Sequence, residues 1–172
     1  MSMRSASTTE SRPATPPELD RTTDPSMGRR LAVLWALIVL PFVLSGVTVP
    51  TGLLPHAVFH PVYIMFAIGA IIALGRLRSA TGARVVRRLA FALIVAQAAV
   101  IAGMVGEEIA VFQHGGLAAG FSEMFQEPLH LLSASVLTLP GLLASLILII
   151  VLTIAAALAI RAEERLFAAR HI

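Results

Sequence analysis

Four long apolar runs dominate the chain: Leu31 to Val49, Ala57 to Gly75, Leu89 to Phe112, and a run within Leu129 to Ile160. About 20 apolar residues of helix are enough to cross a bilayer core. In lipid every backbone polar group must find its partner inside the chain, so apolar runs of this length specify helices. Composition agrees. Of the 172 residues, 57% are hydrophobic and 13% charged, whereas soluble domains carry roughly 25% charged residues. This excludes an ordinary soluble domain and a chain disordered throughout. With no cysteine, disulfides, thiolate metal sites and cysteine nucleophiles are excluded as well.

Charge sets the orientation. All 13 basic residues are arginine. Arg29 and Arg30 precede the first run. Arg76, Arg78, Arg84, Arg87 and Arg88 lie between the second and third. Arg161, Arg165 and Arg170 follow the fourth, and the opposite side has none. The positive-inside rule then puts both termini and the middle loop in the cytoplasm. The expected fold is an all-α, four-transmembrane-helix bundle running up-down-up-down, in a multi-pass protein of the cell membrane.

The expected domains are a disordered cytoplasmic tail over 1–28, a membrane domain over 29–161, and a short cytoplasmic tail over 162–172. The spans fall at 31–49, 57–75, 89–112 and 129–160. The first segment is rich in Ser, Thr and Pro and cannot offset its ordering entropy by burial. Arg29-Arg30 reads as a helix-flanking pair, not as an export signal. The arginines form no patch interleaved with aromatics, so nucleic acid is not an expected partner. The lipid bilayer is, and a membrane-protein partner is compatible with the pattern.

Local features refine this. Pro41 should kink the first helix. Gly46, Gly69 and Gly103 permit close helix approach. The fourth run spans about 48 Å as a helix. It must tilt and project, or divide at Pro140-Gly141. Gln97 lies mid-span, where an amide usually bonds a neighbouring helix. Trp35 and Tyr63 suit the two interfacial belts, and Met65 and Met104 read as packing residues.

The chemistry-bearing residues collect at the outer end. His56, His60, His114 and His130 are there, with Glu107, Glu108, Glu123 and Glu127. His60 is about 24 Å of helix from Arg76, and Glu107 about 28 Å from Arg88. Both therefore reach the outer interface. An ionisable group just inside the apolar layer is a functional candidate. His56, His60, His114, Glu107 and Glu108 form the candidate set for a divalent transition metal. His56 and His60 share a helix face only if Pro61 does not start the helix. Glu127 and His130 form one Glu-x-x-His pair, whereas dimetal sites need two. The alternative is that these groups face water and bind nothing.

The two hairpins echo each other. Each is a helix ending near a small residue, an outer loop, and a histidine opening the return helix. In a four-helix bundle helices two and four are diagonal, so His60 and His130 would face each other across the core. The stretch Gly46 to Leu53, His60, Gln97 with Gly103, and Pro128-Leu129-His130 together resemble one four-helix half of the heme A synthase family. The resemblance covers roughly residues 35 to 150 and lacks that family's cysteine pair and second bundle. It implies heme b held between axial ligands His60 and His130, with a role in electron transfer. The competing expectations are a non-catalytic accessory or structural membrane subunit and a small transporter component. No span carries a charge near its midplane, where a coupled transporter usually places one.

Overall fold

The computed structural model describes residues 25–51, 56–115 and 127–170. The expected disordered tail lies outside them up to residue 24, as does most of the loop between the third and fourth runs, including Glu123. Every element described is helical. Helix α1 is Pro25–Thr51, α2 is His56–Ala80 and α3 is Arg84–Gln113. The fourth helix is a composite of α4 (Pro128–Leu132), a π-helical segment (Ser133–Thr138) and α5 (Leu139–Arg170). Four helices are thus long and apolar enough to cross a membrane.

The boundaries exceed the apolar runs for physical reasons. Pro25 opens α1 where a proline loses no helical hydrogen bond, so the helix starts inside the segment expected to be disordered. Helix α3 begins at Arg84, where the chain leaves the extended conformation of Ala83 (φ −69°, ψ 111°), and arginine is a good helix former. It ends at His114, whose amide bonds back to Ala110 and Val111. Gly115 follows at φ 109°, a left-handed conformation that glycine adopts without strain and that commonly stops helices.

The fourth helix does not divide at Pro140-Gly141. It runs continuously, and the irregularity sits just before the proline. Pro140 has no N–H for the carbonyl of Val136, and the wider π turn ending at Thr138 accommodates that loss. Beyond Ile160, α5 continues as an exposed helix through Arg170.

Packing follows the order α1–α2–α3–α4/α5 around the bundle, with α5 returning to α1. Its lower half is one core: Leu34 and Ile38 of α1, Ala70, Leu74 and Leu77 of α2, Val86, Ala90 and Leu93 of α3, and Ile149, Leu152 and Ala156 of α5. Outward-facing residues are also apolar; Met65 is 72% and Ile147 62% exposed. In lipid such faces gain little from association, so close packing and interhelical hydrogen bonds must hold the helices together. Met104 packs in the core as expected. Tyr63 is not a belt residue: it is buried against Phe59, Val100 and Met104, on the same face of α2 as the buried His60.

The glycines separate into two kinds. Gly46 faces open space, so the expected close approach there is absent. A Cβ on Gly69 would lie 3.3 Å from Leu37, and one on Gly141 would lie 2.8 Å from Val100. A Cβ on Gly103 would strike the Thr138 hydroxyl and sit 2.7 Å from the Thr138 backbone nitrogen. That last contact joins α3 to the π segment.

Two interhelical hydrogen bonds complete the core. Trp35 Nε1 donates to Thr153 Oγ1 at 2.9 Å, so the indole ties α1 to α5. Gln97 Nε2 donates to Ser145 Oγ at 2.8 Å, and Ser145 Oγ donates to the Gly141 carbonyl at 2.7 Å. The amide thus bonds a neighbouring helix, as expected. Gln97→Leu should destabilise the bundle by about 0.6–1.7 kcal/mol, because Ser145 keeps its bond to Gly141. Reversible unfolding in mixed micelles measures this; a loss well above 2 kcal/mol would mean that Gln97 does more than bridge helices.

Candidate metal centre

One end of the bundle buries three ionisable side chains together. His60 is 1%, His130 2% and Glu107 5% exposed. They come from three elements. His60 lies in the second turn of α2, Glu107 near the end of α3, and His130 at the third position of α4.

Each is placed by local chemistry. Helix α2 starts at His56, so Pro61 lies inside the helix. His60 is therefore a helical residue and not a cap, contrary to the reading in which proline opens the helix. Pro61 removes only one early hydrogen bond, the one Ala57 would accept. His130 is held by the helix start. Glu127 is the N-cap, Pro128 follows it, and Glu127 Oε2 accepts the His130 amide at 2.5 Å. The Glu-x-x-His pair is thus a capping arrangement, and its carboxylate is committed to backbone. Glu107 reaches the site because Gly103 and Gly106 let α3 lie against the π segment, with Gly106 facing Ser133.

The distances converge on one oxygen. His60 Nε2 is 3.4 Å and His130 Nε2 3.5 Å from Glu107 Oε2. The two rings stand 6.5 Å apart and are tilted by 40°. One ligand atom from each of the three residues lies within 4.8 Å of the others. The second contacts are equally specific. Glu107 Oε1 accepts from Thr138 Oγ1 at 2.5 Å, and His60 Nδ1 lies 2.9 Å from Glu108 Oε2. A carboxylate accepts, so the Nδ1–H of His60 donates to Glu108. The Nε2 of His60 then turns a lone pair toward Glu107.

The two nitrogen-to-oxygen separations, 3.4 and 3.5 Å, are too long for strong hydrogen bonds, whose usual length is about 2.9 Å. They match the edge of a tetrahedron. Zinc bonds nitrogen at about 2.0–2.1 Å and oxygen at about 2.0–2.2 Å, so neighbouring ligands stand about 3.4 Å apart. The outer contacts also fit a metal centre, where a ligating histidine usually gives its second N–H to a carboxylate and a ligating carboxylate is itself hydrogen-bonded.

Not every expected candidate joins. His114 is exposed at the end of α3, with Nδ1 3.0 Å from the Ala110 carbonyl, and it stands outside the triad because its helix ends there. Glu108 contributes through His60. The side chain of His56 lies outside the described residues. Thr138 was not singled out for this site. It lies opposite Gly103 of α3, and no spacing rule finds that.

Glu127 lies just outside the membrane span. The His130 amide, and then the Leu129 amide, hold its carboxyl below the usual glutamate value. A lowered value means that the charged cap supports the helix start at any pH above the ordinary value of about 4.3. That support disappears as pH falls through the lowered value. The protection factor of the His130 amide against hydrogen exchange, with the intrinsic pH dependence removed, should therefore fall on acidification through this range. In Glu127→Ala it should be low already at neutral pH, with no acid step.

No protein-family model matches the chain, and no curated protein or solved structure is similar to it at a significant level.

Proposed function

We propose that this is an integral membrane protein that holds one divalent transition-metal ion between His60, Glu107 and His130. Both termini face the cytoplasm, and the metal lies near the opposite surface. The observation that carries the reading is the approach of both Nε2 atoms to Glu107 Oε2 at 3.4 and 3.5 Å, the spacing of ligands around a tetrahedral zinc-like ion.

The donor set narrows the chemistry. Two imidazoles and one carboxylate suit zinc, and with open positions they also suit ferrous iron. Structural zinc sites usually have four protein ligands, whereas catalytic ones have three and keep a position for water or substrate. A bound ion would supply Lewis-acid character at that position. The chain's own groups do the rest. Thr138 fixes the free oxygen of Glu107, and Glu108 fixes the ring and tautomer of His60.

Heme b between the same histidines, with electron transfer as its role, is the second reading, carried by the resemblance to heme A synthase. A ring separation of 6.5 Å suits two axial imidazoles. The position of Glu107 Oε2 between them weighs against it, since iron would need that space. An accessory or structural subunit would use the same fold with no bound ion.

One preparation separates these readings. Detergent-purified protein is analysed for metals, and its absorbance is recorded from 350 to 650 nm, oxidised and reduced. The metal reading expects about one zinc or similar ion per chain and no Soret band. A Soret band that shifts on reduction and disappears in His60→Ala and His130→Ala would replace it with heme. Neither metal nor heme, together with a partner that co-purifies, would favour the accessory role.

A further inference from the structure

The buried positions of the fourth helix break step once. They run through His130, Ser133, Thr138, Gly141 and Ser145. A helix that buries one face does so at spacings of three and four. Ser133 to Thr138 is a spacing of five, and it spans the π segment. The Leu139 amide donates to the Ala134 carbonyl, five residues back and directly before Pro140. Both ends of the segment require the extra residue. Thr138 packs on Gly103 and Ser133 on Gly106, two glycines of α3. Five residues of regular α-helix turn about 500°, which would leave Ser133 about 140° from the face that Thr138 presents. The wider π turn brings both onto α3. His130 lies three residues before Ser133 and takes its direction from it. Without the extra residue, and with Thr138 kept on Glu107, His130 would be rotated by about 100°, the turn of one α-helical residue. Its imidazole would then leave Glu107.

We propose that Pro140 is a positioning residue for the metal centre: by imposing the π turn, it phases His130 onto Glu107. Proline makes the α-helical alternative costly. In that alternative its ring would press on the Val136 carbonyl, which would also find no N–H at position 140. The π turn moves that carbonyl aside and adds the residue that the two glycine contacts need. Pro140 itself is exposed, so replacing it with alanine removes little packing and acts chiefly on the path of the backbone. The consequence for the metal rests on the reading proposed above; the phase of the helix does not.

The test compares three full-length proteins in detergent: wild type, Pro140→Ala, and Pro140→Ala with Val136 deleted. Val136 is 57% exposed, and its removal gives Ser133 and Thr138 the spacing of four that suits an α-helix. Each protein is titrated with cobalt(II). Pro140→Ala should bind cobalt more than about 100-fold more weakly, because losing a ligand costs more than losing a group that only orients one, about 10–100-fold. The deletion should restore both the affinity and the visible absorption. A second readout needs no metal. The chain has no cysteine, so His60→Cys with His130→Cys gives one reactive pair, joined by a short bis-methanethiosulfonate reagent and scored by mass spectrometry. The cross-link should form with Pro140 present, be lost in Pro140→Ala and return with the deletion. A cross-link unchanged in Pro140→Ala overturns the proposal, whatever cobalt does. A loss that the deletion fails to restore also overturns it and makes Pro140 a support for folding. A cross-link that follows the expected pattern while wild type binds no cobalt contradicts the metal centre alone.

Discussion

Glu107→Gln is expected to lower metal affinity by at least about 100-fold while leaving the bundle folded. Replacing groups that only orient a metal ligand costs about 10–100-fold in affinity, and Glu107 is assigned as a ligand itself. The amide keeps the shape of the side chain and can still accept from Thr138 Oγ1, which now holds Oε1 at 2.5 Å. It loses the negative charge that two neutral imidazoles cannot supply. Glu108→Gln should fall within the 10–100-fold range, since it reaches the ion only through His60 Nδ1. His114→Ala should change nothing, because that ring is exposed at the end of α3. Equal losses in all three variants would mean that general outer-face charge attracts the metal.

Gly103→Ala is the second large effect, and it acts through packing. The added methyl would meet the Thr138 hydroxyl and lie 2.7 Å from the Thr138 backbone nitrogen. A hydroxyl can rotate away, but a backbone nitrogen moves only with its helix. Overpacking of this kind typically costs about 1–3 kcal/mol. It should also weaken metal binding, because the displaced Thr138 is the residue that fixes Glu107. Gly75→Ala is the control. Nothing lies within 4 Å of that position, so stability should hold or rise slightly, alanine being the better helix former. Unfolding and metal titration of both variants test this; a Gly103→Ala protein as stable as Gly75→Ala would contradict the packing described.

The existence of four helices was legible because crossing a bilayer demands long apolar runs, and loops interrupt them visibly. That His60 and His130 lie at the same end of the bundle was legible too, since both stand early in return helices, and their rings are 6.5 Å apart. Glu107 and Glu108 could be placed at the right depth by counting helical rise from Arg88, but their separate roles could not. Adjacent residues on α3 point about 100° apart, and which one faces the core depends on how α3 is rotated against its neighbours. That rotation is fixed by Gly103, Gly106 and the π segment. The π turn itself has no periodic signature. Pro140 announced an irregularity and left its form open. Pro61 misled for a related reason: proline prefers the first turn, yet α2 begins five residues earlier, at His56. Tyr63 looked like a belt residue by type and depth, and its burial follows from the same facing that buries His60.

The most direct measurement is a titration of metal-stripped protein with cobalt(II), followed by visible d–d absorption, in wild type and His130→Ala. The account predicts saturation at one cobalt per chain, with the intense bands of a four- or five-coordinate site, and loss of that absorption in His130→Ala. An absence of site-bound absorption at one equivalent, or an identical titration in the variant, would contradict a metal centre at His60, Glu107 and His130.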